Sequence, residues 1–382
     1  MKLARKIALL QELNDYLGSD APEWLVAKEK ASRANGWFTP AFIDLAVTNI
    51  RRGLLPARGE DISKVEFRIP HDAGQVSNVV DTDAESGDSK AGDPETEVRN
   101  LKLDIRNAFS DWLSRYDIPE SPENPLTIGL IMAGNIPLVG FHDFLCVFLS
   151  GHRAHIKASS KDDILIRHIV EWMQARAPEL QESIRFRDML QGCDAYIATG
   201  SDNSARYFEQ YFAKFPHIIR RNRTSVAILD GSETPEELSA LADDIHQYFG
   251  LGCRNVTQLL VPEGYDFVPV LGALKRYDHF LDHAKYRHNF DYNLTIQIMN
   301  NQYYMTNGSV VLVQNPSPFS PIGQLHYQFY SDKDSLSAMI QPDQVQCIVG
   351  HGHTPFGQAQ CPGPGDYADG VDTMQFLTEL VK

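Results

Sequence analysis

The sequence has no long apolar run. No stretch of about eighteen consecutive apolar residues occurs in its 382 positions, so no transmembrane span is expected. It has no excess of positive charge either. Lys and Arg number 35 against 50 Asp and Glu, a formal net charge of −15. Phosphate-backbone recognition needs clustered cations, so a nucleic-acid-binding role is not expected, although a local basic pocket for a phosphorylated cofactor is not excluded. Cysteine is scarce. The five thiols, Cys146, Cys193, Cys253, Cys347 and Cys361, are odd in number and scattered. That pattern suits reduced thiols and a cytoplasmic location better than a disulfide framework. Metal-ligand spacing is also missing. Cys347, His351 and His353 are the nearest approach, and three clustered candidates without a fourth do not make a zinc site, so no metal is expected. The start, Met1–Leu17, has basic residues followed by leucines. Gln11, Glu12, Asn14 and Asp15 interrupt that run and no small-residue cleavage site follows. It reads as an amphipathic first helix rather than a signal peptide.

What is present is ordinary globular composition, with 43% hydrophobic and 22% charged residues, and enough length for two domains. The organising stretch runs from Thr127 to Ser160. Thr127–Met132 is short, apolar and β-branched, as a buried strand should be. Ala133-Gly134-Asn135 breaks it. From Pro137, the residues Leu138, Phe141, Phe144, Leu145 and Phe148 recur at helical steps until Ser150-Gly151. Ala154–Ala158 reads as the next strand. Strand, helix, strand over this length is a right-handed parallel crossover, and loops after such strands bind ligands in α/β folds.

The same alternation continues. Helix is expected over Asp162–Arg176, strands at Ile184–Phe186 and Ala195–Ala198, helix from Ser201 to Phe212, and strand at Ser225–Leu229. Thr234-Pro235-Glu236-Glu237 is a capping box that opens a helix to about Phe249. Beyond it come a strand at 257–262, helices at 266–283 and 286–300, strands at 309–314 and 324–330, a helix at 332–340 and a strand at 345–349. Residues 1–80 read as mostly helical. Residues 81–97 carry seven acids against one Lys and read as a solvated loop. Helix resumes over Val98–Tyr116. The expected architecture is α/β and doubly wound, in two parts. Residues 1–247 form a cofactor domain, comprising a helical N-terminal part, the acidic loop and a Rossmann-like parallel sheet. Residues 248–382 form an α/β catalytic domain.

Three places carry candidate chemistry. Asn135-Ile136-Pro137 follows the central strand. Lys157-Ala158-Ser159-Ser160 ends the next. Cys253 lies in Tyr248-Phe-Gly-Leu-Gly-Cys-Arg-Asn255, where Gly250 and Gly252 allow close backbone approach to a ligand. Taken alone, such a Cys is more often a small packed residue than a nucleophile. Thr199-Gly200-Ser201 could be a phosphate-binding turn or a plain helix cap. Gly363-Pro-Gly365-Asp-Tyr-Ala368 fits a dinucleotide pattern on paper, but no strand precedes it and Pro364 interrupts it.

Together these segments resemble the aldehyde dehydrogenase superfamily. The resemblance implies an aldehyde-dehydrogenase-like fold, Cys253 as nucleophile and the Asn135 amide as oxyanion donor. It further implies cofactor contacts at Lys157, Ser159, Ser160, Thr199, Gly200 and Ser201. Pro355-Phe-Gly357 resembles a late Pro-Phe-Gly-Gly segment, and Phe319-Ser-Pro321 weakly resembles a Phe-Gly-Pro turn. Two family residues are missing. The general-base Glu has no counterpart in Ile219-Arg-Arg-Asn-Arg-Thr-Ser225, and the Glu before Phe-Gly-Pro falls near Ser317. An enzyme that reduces an acyl group, or exchanges it with a thiol, does not need the water-activating Glu. The pattern is similar to the acyl-CoA reductase branch, related to the reductase subunit of bacterial bioluminescence. That implies reduction of an acyl thioester, carried by CoA or a carrier protein, through a Cys253 acyl-enzyme. The alternatives are aldehyde oxidation on the same fold, or a non-catalytic binding subunit. NADPH is expected over NADH, because Ser160 stands where NAD-preferring members commonly carry a Glu. The superfamily tends to dimerise, which leaves room for a homodimer. Arg220, Arg221 and Arg223 could meet a phosphate or form a plain basic surface.

Overall fold

A computed structural model describes residues 1–54, 109–122, 124–200 and 202–380. The acidic loop, Ser201 and most of the helix expected over Val98–Tyr116 lie outside the described residues.

Three helices lead: α1 (Leu3–Leu17), α2 (Pro22–Ala34) and α3 (Pro40–Gly53). Pro22 and Pro40 each stand in the first turn, where a missing N–H costs nothing. Then β1 (Thr127–Ile131), α4 (Phe141–Ser150), β2 (Arg153–Lys157), α5 (Ile164–Arg176), the short α6 (Leu180–Ser183) and β3 (Ile184–Phe186) follow. After them come β4 (Ala195–Thr199), α7 (Asp202–Phe212) and β5 (His217–Arg220). These strands form one parallel sheet of order β3-β2-β1-β4-β5. The chain moves one way from β1 to β3 and the other way from β4 to β5, so the order reverses between β1 and β4. Ligands bind at the carboxyl ends of strands at such a reversal.

The second sheet is built from β6 (Thr224–Ile228), β7 (Val256–Pro262), β8 (Met305–Thr306), β9 (Val311–Gln314), β10 (Gln324–Tyr330) and β11 (Val345–Val349), in the order β11-β6-β7-β10-β9-β8. Only β8 runs antiparallel to its neighbour. Its helices are α8 (Pro235–His246), α9 (Val268–Leu274), α10 (Ala284–Met299) and α11 (Lys333–Met339). A last helix, α12 (Thr373–Glu379), ends the described chain.

Two expectations shift. The helix after β1 begins at Phe141, not Pro137. Residues between them are held in a turn, with Leu138 at φ 57°. The change of sheet also falls earlier than residue 247. β6 pairs with β7 and β11 rather than with β5. The C-terminal end crosses back as well, since Met374 and Leu377 of α12 join the core around Phe144 of α4. Both α4 neighbours are thus apolar, which explains why this helix is buried all round. No helix among the described residues is long and apolar enough to cross a membrane.

Candidate active site

The turn that carries Cys253 begins where α8 ends. A full capping box at Thr234 and Glu237 starts that helix. Three consecutive residues then take left-handed backbone: Tyr248 (φ 55°), Phe249 (φ 56°) and Gly250 (φ 75°). Glycine does this freely, but two aromatic residues do so at a cost, which packing must offset. The Phe249 ring contacts Phe42, Phe280 and His283 at centroid distances of 5.0, 4.5 and 4.6 Å. Leu251, Gly252 and Cys253 follow, and β7 begins at Val256.

Asn255 ties this turn down. Its Oδ1 accepts the Gly252 N–H at 2.8 Å. Its Nδ2 donates to the carbonyls of Asp244, Ile245 and Gln247 at 3.0, 3.3 and 2.8 Å. These are orphan acceptors at the end of α8. The sequence reading passed over Asn255, because one Asn after a Cys-Arg pair looks like any turn residue.

Cys253 itself is half-buried. Burial pushes its thiol up, and the Arg254 guanidinium beside it pulls the other way. Ser225 Oγ donates to the Cys253 carbonyl at 3.1 Å and lies 3.1 Å from Cys347 Sγ, so a second thiol adjoins the turn. Asn135 meets the same turn from the other sheet. Its Nδ2 donates to the Leu251 carbonyl at 2.7 Å. A primary amide has two N–H groups, so this bond positions the side chain and leaves one donor.

The Asn135 turn has its own anchor. Asp162 Oδ2 accepts the Leu138 N–H at 2.6 Å. The other oxygen, Oδ1, is buried without a partner among the described residues. Burial raises this carboxyl to about 7. Asp162 was legible only as a first-turn acid of the next helix; its reach back to Leu138 is tertiary.

Ile136–Val139 of one turn and Gly252–Arg254 of the other line a cavity of roughly 220 Å³, together with α3, α4 and the segment around Pro364. Its lining is mainly apolar and includes Ile50, Leu138, Leu145 and Tyr248, with Cys253. His142 and Asp366 supply polar groups to it. His142 Nε2 is 2.9 Å from the Pro364 carbonyl, and burial keeps its pKa low. Leu138 and Tyr248, both with left-handed backbone, line this space.

The remaining candidate residues lie at the carboxyl edge of the first sheet. Lys157 ends β2, is exposed, and has no ion-pair partner among the described residues. Ser159 Oγ accepts the Lys161 N–H at 3.2 Å, so part of its role is local capping. Ser160 is exposed. A Cβ on Gly134 would come within 2.5 Å of Ser159 Oγ, so the β1 and β2 loops touch there. Thr199 ends β4, and Gly200 donates to the Arg220 carbonyl at 3.3 Å. A Cβ on Gly200 would meet Phe208 and Ser204 at 2.9 Å. Both glycines thus make room for neighbouring protein atoms at the strand ends. Ser201 lies outside the described residues.

The arginine cluster is structural. Arg220 is buried and pairs with Asp143 at 2.9 Å and Thr373 at 2.7 Å. Arg221 pairs with Glu209, and Arg223 with Asp369 at 3.3 Å. His351 bonds Asp230 and Glu237 at 3.0 and 3.1 Å, and no group of three metal-ligating side chains occurs among the described residues.

No family model matches this chain, and no curated protein does. Solved structures do. A structure of the P. syringae indole-3-acetaldehyde dehydrogenase AldA with NAD+ and IAA aligns at TM-score 0.55 and 11% identity, covering 91% of this chain and 72% of that one. The NAD-dependent aldehyde dehydrogenase of Sinorhizobium meliloti aligns at 0.54 and 12%, over 91% and 70%. KauB, an aldehyde dehydrogenase of Pseudomonas aeruginosa, aligns at 0.51 and 12%, over 91% and 77%. The fold is therefore aldehyde-dehydrogenase-like: a Rossmann-like parallel sheet with a second α/β sheet beside it.

Proposed function

We propose that this chain is an NADPH-dependent reductase of acyl thioesters, with an acyl-CoA as donor. One observation carries the reading: the apolar cavity between the Asn135 turn and the Cys253 turn opens a thiol onto space suited to a hydrocarbon chain.

Cys253 Sγ attacks the thioester carbonyl as its proton is lost, a loss that Arg254 favours. The remaining Asn135 N–H and the Cys253 backbone N–H stabilise the oxyanion. Such donors contribute about 3 kcal/mol to the transition state. The carbon–sulfur bond to CoA breaks, CoA leaves as its thiolate and takes up a proton, and the acyl group stays on Cys253. Lys157, Thr199 and Gly200 would hold a reduced nicotinamide at the strand-end edge, and that cofactor would supply the hydride for the acyl carbon. The thiohemiacetal on Cys253 then collapses, releasing aldehyde, and the Cys253 thiolate takes a proton from solvent to restore the thiol. Ser160 presents a neutral hydroxyl between Lys157 and Lys161, which favours a cofactor bearing a 2′-phosphate.

The reading requires purified protein with acyl-CoA and NADPH to form aldehyde and oxidised cofactor one for one. Asp366 on the cavity wall favours a second reading, aldehyde oxidation with a carboxylate activating water. Steady acid formation from aldehyde and oxidised cofactor without CoA would select that second reading over the first.

A further inference from the structure

The first sheet has two unlike faces. One carries Ile128, Leu130, Ala154, Ile156 and Ile184, and is packed under helices α1, α4 and α5. Strand alternation sends the other residues to the opposite face. There α7 covers β4 and β5, with Phe208 and Phe212 over Tyr196 and Ala198. Over β2 and β3 the same face carries Arg153, His155 and Lys157, with Arg185 directly beside His155 in the parallel register. Arg187 continues that register past the strand end, its N–H donating to the Ile156 carbonyl at 2.8 Å. Arg153, Lys157, Arg185 and Arg187 are all exposed, and none has an ion-pair partner among the described residues. All three arginines act on His155, which burial and their repulsion keep neutral.

Four cations without an ion-pair partner among the described residues stand together on two adjacent strands, in a chain of net charge −15. The strand spacing puts them in an area about 13 Å along β2 and about 5 Å across to β3. Lys157 joins this patch to the strand-end edge proposed above to hold the nucleotide.

We infer that this face seats a phosphomonoester on the ribose of an adenosine nucleotide, with Arg185 and Arg187 as the residues that read it. A diphosphate plus one ribose phosphate carries roughly four negative charges near pH 7, matching the four cations. The inference rests on the proposed acyl-CoA reduction, whose two nucleotides both bear such a group: a 2′-phosphate on NADPH and a 3′-phosphate on coenzyme A.

Titration calorimetry of the full chain with 2′,5′-ADP, 3′,5′-ADP and plain ADP tests it. At least one bisphosphate is expected to bind roughly tenfold tighter than ADP. In Arg185→Gln/Arg187→Gln that preference should shrink to within about twofold, with a smaller change for ADP itself. Preference for the 2′ isomer identifies the cofactor as the source, and preference for the 3′ isomer identifies coenzyme A. If the double variant does not fold, Arg187→Gln alone, at an exposed site beyond the strand, must still lose part of the preference. Equal binding of all three ligands by the wild type, or a preference that survives the substitutions, overturns the inference. These fragments carry neither thioester nor nicotinamide. A failure here therefore leaves Cys253 acylation standing, and a failure of acylation leaves this binding result readable.

Discussion

Replacing Asn255 with Ala removes the clamp under the Cys253 turn. The side chain is fully buried; its Oδ1 accepts one hydrogen bond, and the two N–H groups of its Nδ2 are shared among three carbonyls. Two of the donated bonds are short enough to count fully, at 3.0 and 2.8 Å; the 3.3 Å bond is weaker. Each well-made bond contributes about 1 kcal/mol net, and each buried group left without a partner costs about 1–3 kcal/mol. Some of the freed carbonyls will find water as the turn relaxes. A loss of about 3 kcal/mol in urea unfolding is the expected result, with acylation of Cys253 slowed about tenfold or more through a looser nucleophile. Asn255→Asp should be no better than Ala. It keeps the acceptor for Gly252 but turns a carboxylate toward three carbonyls. A wild-type urea midpoint together with a wild-type acylation rate in Asn255→Ala would refute this account of the turn.

Asn135→Ala should lower kcat by about a hundredfold with little change in KM, because its free N–H acts in the transition state. Lost thermal stability with normal turnover would instead mark a purely structural amide. Ser160→Glu should shift kcat/KM from NADPH toward NADH, and a native NADH preference unchanged by the substitution would show that this position does not read the ribose. Asp162→Asn keeps an acceptor for Leu138 and removes a buried acid. Burial lifts that acid to about 7 from an ordinary 3.8, so the folded state binds its proton more tightly than the unfolded chain does. Wild-type stability from this group is therefore greatest below pH 4, falls as pH rises toward 7 and is level above it. The variant should gain on the wild type by up to a few kcal/mol between roughly pH 4 and pH 7 and hold that gain above it, read as urea midpoints at each pH. A gap that does not change with pH counts against it.

Much of the fold was legible because its strands are short β-branched runs between turn residues. Ile184–Phe186, 324–330 and 345–349 fall where periodicity put them. The start of α4 was not legible. Pro137 looks like a first-turn proline, yet Asp162, 24 positions away, holds Leu138 in a turn. The change of sheet was hidden for a similar reason. β6 reads like β4 locally, and only its pairing with β7 and β11, the latter over a hundred residues later, assigns it to the second sheet. The turns carrying Asn135 and Cys253 were visible from glycines and neighbouring residue types, and the structure joins them through the Leu251 carbonyl. The left-handed Tyr248 and Phe249 left no local trace, since aromatic rings from α3 and the segment around Phe280 hold them. The basic face over β2 and β3 depends on register, which no single segment states.

The most direct test is the intact mass of the protein after mixing with acyl-CoAs of increasing chain length, without reductant. The account predicts one acyl adduct, located by peptide mapping on Cys253, absent from Cys253→Ala, and discharged when NADPH is added. No adduct, or an adduct on Cys347 or Cys361 that survives in Cys253→Ala, would contradict it.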